Sequence, residues 1–304
     1  MSLRVNPGAQ SGTFTNRISY MSVGEFIAAP TSLDLSQLVQ GGTFEQQREA
    51  LAGVLSRASA IADNYCQMTL AATQDTQSSW PFIRQSPAGW PTISLSCSYA
   101  PVLELVSCLV GYDPVNAVPV LQGSGVTFGV STINVPIVPF TQWGQSRVYA
   151  EWTYVNGWPH SFLAANAVPG DTELVLGGEM GNPAAPPVGI YAGTQLTIYQ
   201  DASNETVQVA PGYSGGSTVP LVAPIRGTYS TADYPNLTTV TALPPDIRQA
   251  VISLATALIK ARGDGAVVLS TLLAPSASPG IDVGSQQLDL AMARTILQPY
   301  RRPM

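Results

Sequence analysis

His160 is the only histidine in the 304 residues. Acid–base work near neutral pH falls most often to an imidazole, so catalysis is sought there first. His160 follows Trp158 and Pro159 in a predicted hairpin, and no Gly-x-Ser-x-Gly elbow exists to supply a nucleophile. The expected role is structural or solvent-facing. His-Glu-x-x-His, Walker A and Gly-x-Gly-x-x-Gly spacings are all missing. The acids Glu173, Glu179, Asp201 and Glu205 lack the spacing of a calcium loop. Cys66, Cys97 and Cys108 are odd in number and contain no Cys-x-x-Cys pair. They read as free, partly buried thiols in a reducing cytoplasm. Trp80, Trp90, Trp143, Trp152 and Trp158 fit core or interface anchors better than a glycan platform. Catalytic, cofactor-binding and metal residues are therefore expected to be none, and the chain is expected not to be an enzyme.

Composition points toward assembly. Charged residues make up 11% of the chain, less than half the usual quarter, beside 45% hydrophobic residues. With 27 Gly and 25 Pro, this suits a loop-rich β protein whose surface neighbours partly cover. The net charge of −6 does not attract nucleic acid. Lys260 is the only lysine, and arginine suits interfaces better than lysine. The segment from Met1 to Pro7 has no apolar core and does not read as a signal peptide. The most apolar run, 250–273, is broken by Lys260, Arg262 and Asp264 and does not read as a membrane span.

The elements that would carry an interface read as helix, then a long β-rich middle, then helix. Ser22 with Glu25 and Thr43 with Gln46 are capping-box pairs opening two helices. The first stops at Pro30. The second carries Leu51, Val54, Leu55, Ala58, Ile61 and Tyr65 on one face. Strands are expected at 78–84, 90–96 and 102–110, with strand-like pieces near 126–130 and 134–138. A second β module starts near Arg147, and Asn156-Gly157 is read as its first hairpin turn. Its short strands predict an antiparallel barrel or sandwich. Pro244, Pro245 and Asp246 open a helix with Ile247, Ala250, Val251, Leu254, Leu258 and Ala261 on one face, capped by Gly263. A Ser/Pro/Gly-rich linker, 274–284, precedes a last helix from Ser285 to Leu297.

The expected fold class is α+β, a helical core from both chain ends with an inserted antiparallel β barrel or sandwich. The expected segments are 17–80, helical core; 81–146, β-rich hairpins and loops; 147–242, the inserted β module; and 243–304, helical core and docking helix. The core is assigned to Leu51, Leu55, Ile61, Tyr65, Val251, Leu254 and Leu258.

Four stretches resemble the head–tail connector, or adaptor, proteins of tailed bacteriophages. They are Ile18 to Pro30, Leu51 to Cys66 with its end Arg57 to Cys66, Leu243 to Gly263, and Asp289 to Arg302. The β insertion resembles the larger adaptors of phages infecting actinobacteria, while 112–145 departs from the short members. The resemblance implies a homo-oligomeric ring of about twelve copies. It would sit in the virion neck between the portal and a tail-side neck protein, after synthesis in the host cytoplasm. DNA would pass through the channel without base readout, since the helices lack basic stripes. No membrane is involved.

The resemblance also places the portal contact at the C-terminus. Its candidates are Leu288, Met292, Arg294, Ile296, Leu297, Tyr300, Arg301 and Arg302. The last helix has a narrow apolar stripe, Leu288, Ala291, Met292, Thr295 and Ile296, and is too short to hold alone. It is expected to reach a partner across the linker and to be dispensable for folding. The alternative is a tail or baseplate β protein that binds host glycan through exposed tryptophans.

Overall fold

A computed structural model describes residues 19–85, 91–120, 125–137, 147–178, 186–231, 237–260 and 285–301. The chain divides into two compact units, and its described residues place 72–157 in one and 19–71 with 158–301 in the other.

Among the described residues, the first unit is two four-stranded antiparallel sheets. One has the order β1 (Thr73–Ser79), β8 (Tyr149–Asn156), β4 (Val102–Gly111), β5 (Val118–Pro119). The other runs β2 (Ile83–Gln85), β3 (Pro91–Ser96), β7 (Thr132–Pro136), β6 (Thr127–Phe128). Alternate residues of both turn to one apolar cluster. Ile93, Leu95, Ile133 and Val135 come from the second sheet; Cys108, Val110, Trp152 and Tyr154 come from the first. Period-two alternation puts each such set on one face of its strand.

Among the described residues, the second unit joins four α-helices to a six-stranded sheet. The helices are α1 (Val23–Ala28), α2 (Phe44–Cys66), α3 (Pro245–Lys260) and α4 (Ser285–Leu297). Both capping boxes form: Ser22 Oγ accepts from Glu25 N, and Thr43 Oγ1 accepts from Gln46 N. The sheet runs β12 (Ser203–Gln208), β11 (Gln195–Gln200), β14 (Thr239–Thr241), β9 (His160–Leu163), β10 (Glu173–Gly177), β13 (Thr218–Pro220). It curls until its ends meet. Ala210 N donates to Pro220 O at 2.8 Å and Val222 N to Gln208 O at 2.9 Å. Leu163, Leu174, Leu176, Leu196, Ile198 and Val240 fill the inside.

The α+β expectation with a helical core is corrected. The protein is mostly β, built from several antiparallel sheets, and helix is only about 27% of it. The helices line one of three separate apolar clusters rather than supplying a common core. One misread stretch accounts for part of the difference. Strand β1, Thr73 to Ser79, is polar throughout and carries little strand signal, yet pairs with β8 along its length. Residues 112–137 contribute β5, β6 and β7.

The segment boundaries also fall elsewhere. Tyr149–Asn156 pairs with β1 and β4, so it joins the first unit and not the module expected from 147. Asn156-Gly157 is therefore no hairpin turn, since β9 pairs with β10 and β14 instead. The Gly263 cap and the 274–284 linker lie outside the described residues.

Candidate functional site

Helix α4 has two faces. Leu290, Ala293 and Leu297 are buried in the helical cluster with Cys66, Leu254 and Leu258. Lys260 Nζ at the end of α3 donates to Asp289 Oδ2 at 2.7 Å. Both side chains are partly exposed, so this pair adds at most about 1 kcal/mol. The opposite face carries Leu288 (68% exposed) and Met292 (47%), with Ala291 and Thr295 exposed beside them. Residues three and four apart share a face, so these four form one stripe. A helix of 13 residues is marginal alone, and its buried face is what holds it.

The other contact candidates are turned toward the body or partly covered. Ile296 is half-buried against the helical cluster and Leu297 is fully buried in it. Tyr300 donates its hydroxyl to Asp246 Oδ2 at 2.7 Å, and its ring meets Trp158 edge-on at 5.5 Å. Burial and the Asp246 carboxylate raise the Tyr300 phenol above its usual range. The Arg301 guanidinium lies 5.5 Å from the Tyr65 ring centroid. Arg294 is half-buried, and Arg302 lies outside the described residues. The helix is thus seated on the body. Deleting 285–304 would strip Leu290, Ala293 and Leu297 from their cluster, so truncation cannot separate docking from folding.

Leu51, Leu55, Ile61, Tyr65, Val251, Leu254 and Leu258 all lie buried in that same cluster. Above it sits a polar group that periodicity does not reveal. Arg248 donates to Glu25, donates through Nη1 to Tyr20 O at 3.0 Å, and stacks 3.7 Å from the Tyr199 centroid. Glu25 also accepts from Ser22 N at 2.6 Å and from Thr239 Oγ1 at 3.3 Å. The only hint in sequence was an arginine next to Ile247 on an apolar helix.

His160 belongs to the same region. Its Nε2 donates to Ser19 O at 2.9 Å, its ring meets Tyr20 at 5.5 Å, and its Nδ1 has no hydrogen-bond partner. Burial pushes the imidazole down to about 4, with Arg248 adding to this against the Ser19 carbonyl. Burial also raises the thiols: Cys66 and Cys108 to about 12, Cys97 to about 11. These groups are neutral near pH 7. Among the described residues, no His, Cys, Asp and Glu side chains group to hold a metal ion, and no helix is long and apolar enough to cross a membrane.

Among the described residues the tryptophans do not form a platform. Trp152 is buried in the first unit's cluster and Trp158 packs against the helical one. Trp80 is half-exposed and braced edge-on by Tyr149 at 5.5 Å. Trp90 and Trp143 lie outside the described residues.

No family model matches the chain, and no curated protein matches it significantly. Among solved structures, a chain described as "Neck of empty GTA particle computed with C6 symmetry" is 12% identical. The match covers 95% of this chain and 96% of that one, at a TM-score of 0.32. At that score the likeness carries no argument for function.

Proposed function

We propose that this chain is a non-enzymatic structural subunit of a tailed-phage neck, a head–tail adaptor. It would join a ring of about twelve copies in the virion, between the portal and a tail-side neck protein. The outer face of α4 would be its portal contact. The observation that carries this reading is the pair Leu288 and Met292, apolar and exposed on a helix whose other face is locked to the body. Water-exposed apolar side chains in a row are what a partner surface would cover.

Two further features support it. The four stretches that resemble adaptors include the whole of α3 and most of α4. The low charge content fits a subunit covered on its flanks, and the net charge of −6 would let DNA pass without being held. Portal binding by a Leu288→Asp/Met292→Asp variant of unchanged stability tests the proposal. Retained binding would remove α4 as the contact.

A further inference from the structure

The first unit has opposite, unlike edges. Residues 72–157 hold only six charged side chains: Asp75, Arg84, Glu104, Asp113, Arg147 and Glu151. In the sheet β1-β8-β4-β5, the β1 end continues into Trp80 (48% exposed) and Phe82 (47%). The β5 end carries Tyr112 (45%), Val115 (91%) and Val118 (45%). Three strand spacings, about 14 Å, separate the two edges.

Exposed strand edges are normally protected by lysine, proline or a covering segment. Strand β1 has seven residues and neither lysine nor proline. Its one acid, Asp75, is buried and accepts from Asn156 Nδ2 at 2.7 Å. Among the described residues no strand pairs with its outer edge. The β5 edge, by contrast, is two residues long and ends in Pro119.

The flanking charges are opposite. Arg147 is exposed and stacks 4.0 Å from the Phe82 ring centroid. In the β4–β5 loop, Asp113 accepts from Val115 N and Asn116 N, each at 2.9 Å, and from the Asn116 side chain, which hold its carboxylate ionised. Trp, Phe, Tyr and Arg are also the types that anchor protein interfaces.

We propose that copies of this chain meet head to tail through this unit. The Trp80–Phe82 edge of one would pack on the Tyr112–Val115–Val118 edge of the next, with Arg147 facing the neighbour's Asp113. Because the two patches differ, the contact is heterologous and repeats until it closes, as a ring requires. A self-complementary patch would stop at a dimer. The proposal rests on the assembly reading given above and names the surface that builds the assembly.

Two variants test it, Trp80→Asp/Phe82→Ser and Val115→Asp/Val118→Asp, each checked by near-ultraviolet circular dichroism and thermal melting for an intact fold. Sedimentation equilibrium should show wild-type oligomers larger than a dimer, each variant alone as a monomer, and their equimolar mixture as a heterodimer and nothing larger. The mixture stops there because each heterodimer has only spoiled edges left. Either variant assembling like wild type overturns the contact while leaving assembly standing. A mixture that stays monomeric overturns it in favour of one shared patch. A wild-type chain monomeric to millimolar concentration also overturns it. Portal binding by that same monomer would then show whether the adaptor reading survives.

Discussion

Arg248 of α3 and Glu25 of α1 form a buried ion pair across 223 residues of sequence. Every element that touches the pair belongs to a different part of the second unit. Tyr20 precedes α1, Tyr199 is on β11 and Thr239 is on β14. The pair therefore fixes the helices against the outer face of the curled sheet. Replacing one partner leaves the other charge buried and uncompensated, which costs about 3–5 kcal/mol. Arg248→Met is expected to lose that much in urea unfolding, with Glu25→Gln/Arg248→Met regaining part of it. A single variant within about 1 kcal/mol of wild type would contradict the burial.

Gly177 and Phe162 face each other across β10 and β9. A Cβ at position 177 would lie 2.5 Å from Phe162 Cζ, inside contact distance. The ring is buried and cannot swing out freely. Gly177→Ala should destabilise by about 1–3 kcal/mol through overpacking. Shortening the ring in Phe162→Leu should relieve part of this, so the double variant should be more stable than the sum of the singles predicts. Simple additivity in thermal melts would show that ring and glycine are not in contact.

His160 makes stability depend on acid. Its folded value of about 4 lies below its usual 6.5, because burial disfavours the charged form. Folding therefore resists protonation. The stability is fully present above about pH 6.5 and is lost as pH falls toward 4. The side chain is partly exposed, which limits the loss to about 1–3 kcal/mol. His160→Gln keeps a donor for Ser19 O and removes the titration. The wild type should lose more stability than this variant between pH 7 and 4. Parallel curves for the two proteins would rule out the buried imidazole as the cause.

Local signals were legible in the sequence and long-range ones were not. Ser22–Glu25 and Thr43–Gln46 opened helices as their spacing predicts, and Ser285–Leu297 forms the last helix between the expected limits. Each depends on side chains three or four residues apart. Strand pairing has no such local mark. Asn156-Gly157 carries a strong turn signal, but the partners of β8 are β1 and β4, and nothing near position 156 encodes that choice. The same holds for Glu25 and Arg248. On α4, Leu288, Ala291, Met292 and Thr295 of the expected stripe are exposed, whereas Ile296 is half-buried against the helical cluster. The inward face was missed, because Leu290, Ala293 and Leu297 gain meaning only from the surface they meet.

The most direct test of the adaptor account is the affinity of the Leu288→Asp/Met292→Asp chain for portal-containing heads. Both side chains are exposed, so its melting temperature should match wild type within a few degrees. Charges in a buried apolar contact should weaken binding by about 100-fold or more. A comparably exposed substitution away from α4, Val222→Asp (57% exposed), should leave binding unchanged. Wild-type affinity in the α4 variant, with its fold intact, would contradict the account.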